Sequence, residues 1–421
     1  MKKVILLLFC FTFFNACDQS QILPDTDVII VDPDPDPDPD PDPDPDPVTE
    51  PCVNGMAGEY PCNDYDLVSH VGLVALGGSS AQGNDCWGWT DPATQKEYAL
   101  VGTSTGTAFV DISTPITPVV LAFLPTHTTS SSWRDIKTYG NYAFIVSEAS
   151  GHGMQVLDLT RLRDIDPVSG TVELTSDAHY DGFGNAHNIV INEANAYAYA
   201  VGTNTFSGGP HFIDISDPLN PVAAGGYSVD NYSHDAQVVS YRGPDSDYFS
   251  REILIGSNAD EVVIVDVTDK NNPVRIAKID YTNIGYTHQG WFSTDQRYFI
   301  LGDELDERDF GLNTRTIVFD LQDLDNPIHA YDYFGPTAAI DHNGYVLEDK
   351  YFLANYTAGI RVLDISNIGS SMSEIGFFDT FPSNDATAFN GVWNVYPYFP
   401  SGNILVSDIN SGMFLIRKSQ N

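Results

Sequence analysis

Short apolar runs, four or five residues long and rich in β-branched and aromatic side chains, recur along this chain between Gly, Pro, Asn and Asp. One run returns with an acidic residue inside it: Phe109-Val-Asp-Ile-Ser, Val156-Leu-Asp-Leu-Thr, Phe212-Ile-Asp-Ile-Ser, Ile264-Val-Asp-Val-Thr, Val318-Phe-Asp-Leu-Gln, Val362-Leu-Asp-Ile-Ser and, degraded, Phe414-Leu-Ile-Arg-Lys. Asp111, Asp158, Asp214, Asp266, Asp320 and Asp364 stand 47, 56, 52, 54 and 44 residues apart. Such runs bounded by turn residues predict strands. A unit of about 50 residues cannot bury a core alone, so the period implies repeats that stack or radiate. The recurring aspartates end the third strand of each unit, where their natural role is to cap turn amides.

One unit gives the grammar. Trp133-Arg-Asp-Ile-Lys opens a first strand, Ala143-Phe-Ile-Val-Ser is a second and Met154-Gln-Val-Leu-Asp-Leu a third, with a fourth after the turn in units with the fuller ending. Beyond the extreme N-terminus no long apolar stripe has helical spacing. The fold class is therefore all-β, and the unit size predicts a seven-bladed β-propeller. The last unit has three strands, Trp393-Asn-Val-Tyr, Ile404-Leu-Val-Ser and Met413-Phe-Leu-Ile. An orphan strand, Leu67–Leu76, precedes the first unit and is expected to complete the last blade. That pairing joins the two ends and removes an open edge.

Three segments follow: a signal peptide over 1–16, an anchored linker over 17–50 and the propeller over 51–421. Lys2 and Lys3 precede an apolar stretch, Val4–Phe14, too short to span a bilayer. Phe14-Asn15-Ala16-Cys17 looks like a bacterial lipobox that makes Cys17 the lipidated N-terminus. Asp32 to Pro47 is eight Asp-Pro pairs, a stiff extended spacer of roughly 50 Å at about 3.1 Å per residue. The expected location is the outer membrane or cell surface, after export, with the membrane as a partner through the lipid. Cys52 and Cys62 are expected to form a disulfide, which an exported chain permits; Cys86 reads as a buried apolar residue.

The formal net charge is −39. The first 47 residues hold eleven acids and two lysines, which leaves −30 on the remainder. That field excludes nucleic acid as a partner and suits a protein, a small molecule or cations.

The strings Cys52-Val-Asn-Gly-Met-Ala-Gly-Glu-Tyr-Pro-Cys62, Trp87-Gly-Trp-Thr-Asp-Pro, Glu97-Tyr-Ala-Leu, Trp133-Arg-Asp-Ile-Lys, His152-Gly-Met-Gln-Val-Leu-Asp-Leu, His288-Gln-Gly-Trp and Gly302-Asp-Glu-Leu-Asp-Glu307 resemble the choice-of-anchor B family of LVIVD-type repeats. The resemblance spans about Pro51 to Lys418. It implies an exported, surface-anchored bacterial β-propeller and brings no established enzymatic activity.

Candidate chemistry lies where each unit opens. Trp87, Trp133, His187, His234, His288, His342 and Trp393 recur there, at the expected mouth of the axial channel. Four convergent histidines can ligate a divalent or transition metal ion, and they can equally fasten neighbouring blades through backbone hydrogen bonds. The loop Asp303, Glu304, Asp306, Glu307 can offer carboxylates to the same face. No EF-hand, P-loop, Gly-x-Ser-x-Gly or His-Glu-x-x-His pattern is present. The expected function is a lipid-anchored binding or interaction module of unknown ligand. The alternatives are a metal-dependent enzyme with a histidine-rich axial site, and a structural component of the surface layer.

Overall fold

Each repeat folds into one sheet, and seven such sheets follow one another through residues 49–168 and 170–420, which the computed structural model describes. The signal peptide, Cys17 and the Asp-Pro tract lie outside the described residues. The innermost strands are Gly83–Thr90, Arg134–Tyr139, Asn188–Asn192, Asp235–Ser240, Thr287–Phe292, Gly344–Leu347 and Val392–Tyr396. Each packs against the next, and the last against the first. The protein is a seven-bladed β-propeller, and these strands surround its axis. We number blades 1 to 7 in that order.

The N-terminal strand closes the ring as expected. Tyr65–Val71 pairs antiparallel with Gly412–Lys418, with Leu67 opposite Ile416 and Val71 opposite Met413. The expected strand ends early, however, and Leu73–Gly77 form a single helical turn. In a strand Val74 and Leu76 would face the same way. Here Val74 is 74% exposed and Leu76 only 1%, and Leu76 joins the core between blades 7 and 1. Gly412, at φ +104°, begins the closing partner; a Cβ there would meet the Val71 carbonyl oxygen at 2.5 Å.

The apolar faces of adjacent blades make the core. Leu100 and Phe109 of blade 1, for example, interleave with Ile136 and Ile145 of blade 2. All six recurring aspartates cap turns. Each accepts a hydrogen bond of 2.8–3.0 Å from the backbone N–H two residues on, at Ser113, Thr160, Ser216, Thr268, Gln322 and Ser366. Cys52 and Cys62 form the expected disulfide. It staples a hairpin whose second strand, Tyr60–Asn63, adds to the outer edge of blade 6. Blade 2 departs from the repeat, because residues 159–177 separate its third and fourth strands. Val172–Glu173 within that insertion pairs in parallel with the outer strand of blade 1. No helix among the described residues is long and apolar enough to cross a membrane.

Candidate functional site

Two inner strands open on an irregularity that aims a side chain at the axis. His288 is the extra residue of a bulge between Thr287 and Gln289, and Trp393 of one between Val392 and Asn394. Bulges re-aim a side chain without ending the strand. His187, His234 and His342 precede their inner strands, and their own N–H groups bond to the second strand of the same blade.

All four histidines line one cavity of about 290 Å³ at this end of the axis, with Ser132, Trp133, Glu304, Tyr356, Phe389 and Trp393. The rings follow the blades in an arc. Centroids lie 4.0 Å apart for His187–His234, 4.4 Å for His234–His288 and 4.3 Å for His288–His342, and 5.0 Å onward to Trp393.

Two of these rings also stitch blades together. Nδ1 of His234 donates to the His288 carbonyl at 3.2 Å, and Nδ1 of His342 to the Trp393 carbonyl at 2.5 Å. A carbonyl only accepts, so in both rings Nδ1 carries the proton and Nε2 keeps its lone pair. His187 Nδ1 lies 2.6 Å from Glu148 Oε1 at the rim. The blade-fastening role expected of these histidines is therefore present at His234 and His342.

Glu304 is the carboxylate that reaches the cavity. Its oxygens lie 3.8 Å from His288 Nε2 and 3.7 Å from His342 Nε2, and Oε1 accepts the Tyr356 hydroxyl at 2.8 Å. Burial pushes its carboxyl up to about 7, the Tyr356 hydroxyl pulling the other way. Burial also drives the imidazoles down: His342 to about 3, and His234 and His288 well below the ordinary histidine value, with neighbouring imidazoles adding to the shift. These three rings are neutral at pH 7 and present acceptor nitrogens.

The other carboxylates of the expected cluster turn away. Asp303 accepts from the N–H groups of Gly285 and Tyr286 and from the Tyr281 hydroxyl, and so shapes the loop before blade 5. Asp306 pairs with buried Arg315 at 2.5 Å, and Glu307 accepts from the Arg315 N–H. Asp303 ends a strand and Asp306 and Glu307 open a short helix, Asp306–Phe310, so successive side chains point in different directions.

Two expected members of the axial ring are misplaced by register. The N–H of Ile136 bonds to Asp85 one blade back, as that of Ile189 bonds to Asp135. By that equivalence Arg134 stands where His187 stands, and Asn84 takes the same place in blade 1. Arg134 is buried, its Nη1 3.2 Å from His152 Nε2 and its Nε donating to the Thr103 carbonyl. Trp133 is half exposed at the cavity rim. Trp87 sits farther along its strand, against Tyr345 and Tyr396, and lines a smaller cavity at the opposite end of the axis with Lys137, Gln237 and Trp291. Spacing to the following aspartate or asparagine, rather than ring size, was the signal that would have set this register.

Residues 132–158 and 346–380 match the model of the LVIVD repeat. The first span holds three strands of blade 2, and the second reaches from the inner strand of blade 6 to its outer one. No curated protein matches the chain. Solved structures of similar shape include a putative 6-phosphogluconolactonase from Bacteroides fragilis, with 12% identity, a TM-score of 0.48, and coverage of 69% of this chain and 82% of that one. The β-propeller domain of Cps50 (Swd1) from Myceliophteria thermophila shares 10% identity at a TM-score of 0.48, over 77% and 94% of the two chains. A protein from Lactobacillus plantarum shares 14% at a TM-score of 0.49, over 79% and 90%. The count of seven blades rests on the strand pairing described above.

Proposed function

We propose that this chain is an exported, lipid-anchored binding module of the choice-of-anchor B kind, and that it holds a small ligand in the axial cavity. The observation behind the reading is the cavity itself. Aromatic walls from Trp133, Tyr356, Phe389 and Trp393 enclose a few convergent polar groups, the arrangement that distinguishes small-molecule sites from accidental surface clefts. LVIVD repeats in two blades agree with a β-propeller that serves binding. Export is supported by the Lys2–Phe14 leader pattern and by the Cys52–Cys62 disulfide, which an oxidising compartment maintains. Anchoring is supported by the residues around Cys17. One buried chain contributes about 0.8 kcal/mol per methylene, and stable attachment takes more than one chain. The Asp-Pro tract then lifts the cavity away from the lipid headgroups.

Two measurements test this. Wild-type protein is expected in the detergent phase of a Triton X-114 extraction with an acyl mass on Cys17, and Cys17→Ser in the aqueous phase. Equal partitioning of the two removes the anchor from the reading. Native mass spectrometry of the full chain extracted from its membrane is expected to show a noncovalent organic mass. Ser132→Trp, which crowds the cavity rim, should lose it. An extracted protein without such a mass, or a variant that keeps it, contradicts the axial ligand site.

A further inference from the structure

We propose that the axial cavity binds one divalent transition-metal ion on His288 Nε2, His342 Nε2 and Glu304. The inference rests on reading the cavity as the ligand site and names the chemistry at its floor. It is carried by four observations.

The first is distance. One donor atom from each of the three residues lies within 4.8 Å of the other two, and the carboxylate stands 3.8 Å from His288 Nε2 through Oε2 and 3.7 Å from His342 Nε2 through Oε1. Bonds of about 2.0–2.2 Å in a tetrahedral site put ligand atoms roughly 3.4 Å apart. The set is therefore open by a few tenths of an ångström on its short edges, which small χ rotations of Glu304 close.

The second is orientation. The Trp393 carbonyl takes the Nδ1 proton of His342, which turns the Nε2 lone pair toward Glu304. The Tyr356 hydroxyl holds the carboxylate from behind. Partners of this kind, a carbonyl behind an imidazole and a hydrogen bond to a carboxylate, orient metal ligands.

The third is an unmet demand. His288 is 2% exposed, yet among the described residues neither of its ring nitrogens has a hydrogen-bond partner, and Nδ1 is fully enclosed. His234 and His342 use Nδ1 to fasten the next blade, but the His288 ring does no such work. Its Nε2 faces Glu304 Oε2 at 3.8 Å, too far for a hydrogen bond, and an ion between the two atoms would fill that gap. Nδ1 would then carry the ring proton, still without an acceptor. Within 4 Å the Glu304 carboxylate meets these two imidazoles and, among the described residues, no lysine or arginine; Arg308 acts on it only from farther away.

The fourth is room. Three protein donors on one side leave a coordination position toward Phe389 and Trp393, the lining of the cavity. An open fourth position characterises zinc sites that bind a further ligand, and two histidines with one carboxylate suit ferrous iron as well. Nitrogen donors exclude calcium and magnesium, which take oxygen. The fourth ligand would be a water or a donor atom of the cavity's small-molecule guest.

The test uses the full chain made without a histidine tag, stripped with EDTA and titrated with Co²⁺. One Co²⁺ per chain is expected, with visible d–d bands that Zn²⁺ displaces stoichiometrically. His288→Ala and Glu304→Gln should each weaken Co²⁺ at least about 100-fold, beyond the 10–100-fold typical of losing an outer-sphere partner. His329→Ala, at an exposed position remote from the axis, should leave it unchanged. X-ray absorption on the wild-type Co²⁺ form should report two imidazoles, a reading that does not depend on how the variants fold. Absence of stoichiometric Co²⁺, fewer than two imidazoles, or binding that survives both axial substitutions overturns the proposal. An organic mass in Ser132-intact protein with no bound Co²⁺ would overturn the metal alone and leave the binding module standing.

Discussion

At the scale of single residues, the chain uses carboxylates for two opposite purposes. One is to hold turns, as the six repeated aspartates do, and Asp91 shows the strongest case. Arg163 donates to both of its oxygens at 2.7 and 2.6 Å, Thr94 adds a hydroxyl and Ala93 an N–H. The Arg163 guanidinium, chiefly, holds the Asp91 carboxyl well below the usual carboxylate range. A folded-state value depressed in this way adds stability above the unfolded value of about 3.9, and the contribution is lost as pH falls through that value toward the folded one. Asp91→Asn is therefore expected to cost roughly 1.5–3 kcal/mol in urea unfolding at pH 7, the range for hydrogen bonds to charged groups, discounted toward the low end because Arg163 is partly exposed. The cost should shrink as pH approaches 2; a cost that stays constant over that range would show that charge is not its source. Glu304 serves the other purpose, a carboxylate that lines the axial cavity with no lysine or arginine within 4 Å among the described residues. Its sequence neighbours Asp303, Asp306 and Glu307 looked equivalent because composition does not record side-chain direction. Only the strand end at Asp303 and the helical turn after it separate the one that faces the axis.

At the scale of elements, the repeated Asp-bearing strand was legible because its period is long-range and redundant, and closure by the N-terminal strand followed from a blade left one strand short. What stayed hidden depended on register or on non-repeated contacts. Trp87 and Trp133 stood out as large residues where Asn84 and Arg134 occupy the equivalent places, and the helix Leu73–Gly77 reads as a strand until Val74 and Leu76 are seen to differ in burial. The blade 2 insertion pairs with blade 1 through two residues only, too short for any periodic signal. Two predictions belong here. Removing residues through Val71 should expose the edge Gly412–Lys418 and give aggregates in size-exclusion chromatography; a stable monomer would show that closure is dispensable. Replacing Cys52 and Cys62 by Ser should loosen the Met56–Asn63 hairpin by about 2–3 kcal/mol, the chain-entropy value for so short a loop. Hydrogen exchange should quicken there and stay unchanged in blades 2 to 4, and uniform protection would contradict a local role.

At the scale of the whole molecule, the charge of −30 on the residues after Pro47 works against a closed ring of blades. The Debye length falls from about 30 Å at 0.01 M salt to about 8 Å at 0.15 M, which screens long-range repulsion before it weakens buried pairs such as Lys137–Asp135. The melting temperature should therefore rise over that interval, and a fall would mean that exposed ion pairs outweigh the net field. The same charge disfavours anionic partners, and the axial cavity offers neutral imidazoles to a small neutral or cationic one. The most direct test of that account is an anomalous difference map at the zinc edge from crystals of the full chain grown with Zn²⁺. The expected result is one dominant peak on the axis, about 2.0–2.2 Å from His288 Nε2, His342 Nε2 and a Glu304 oxygen. An axis free of anomalous density, with the strongest peak on surface carboxylates, would contradict it.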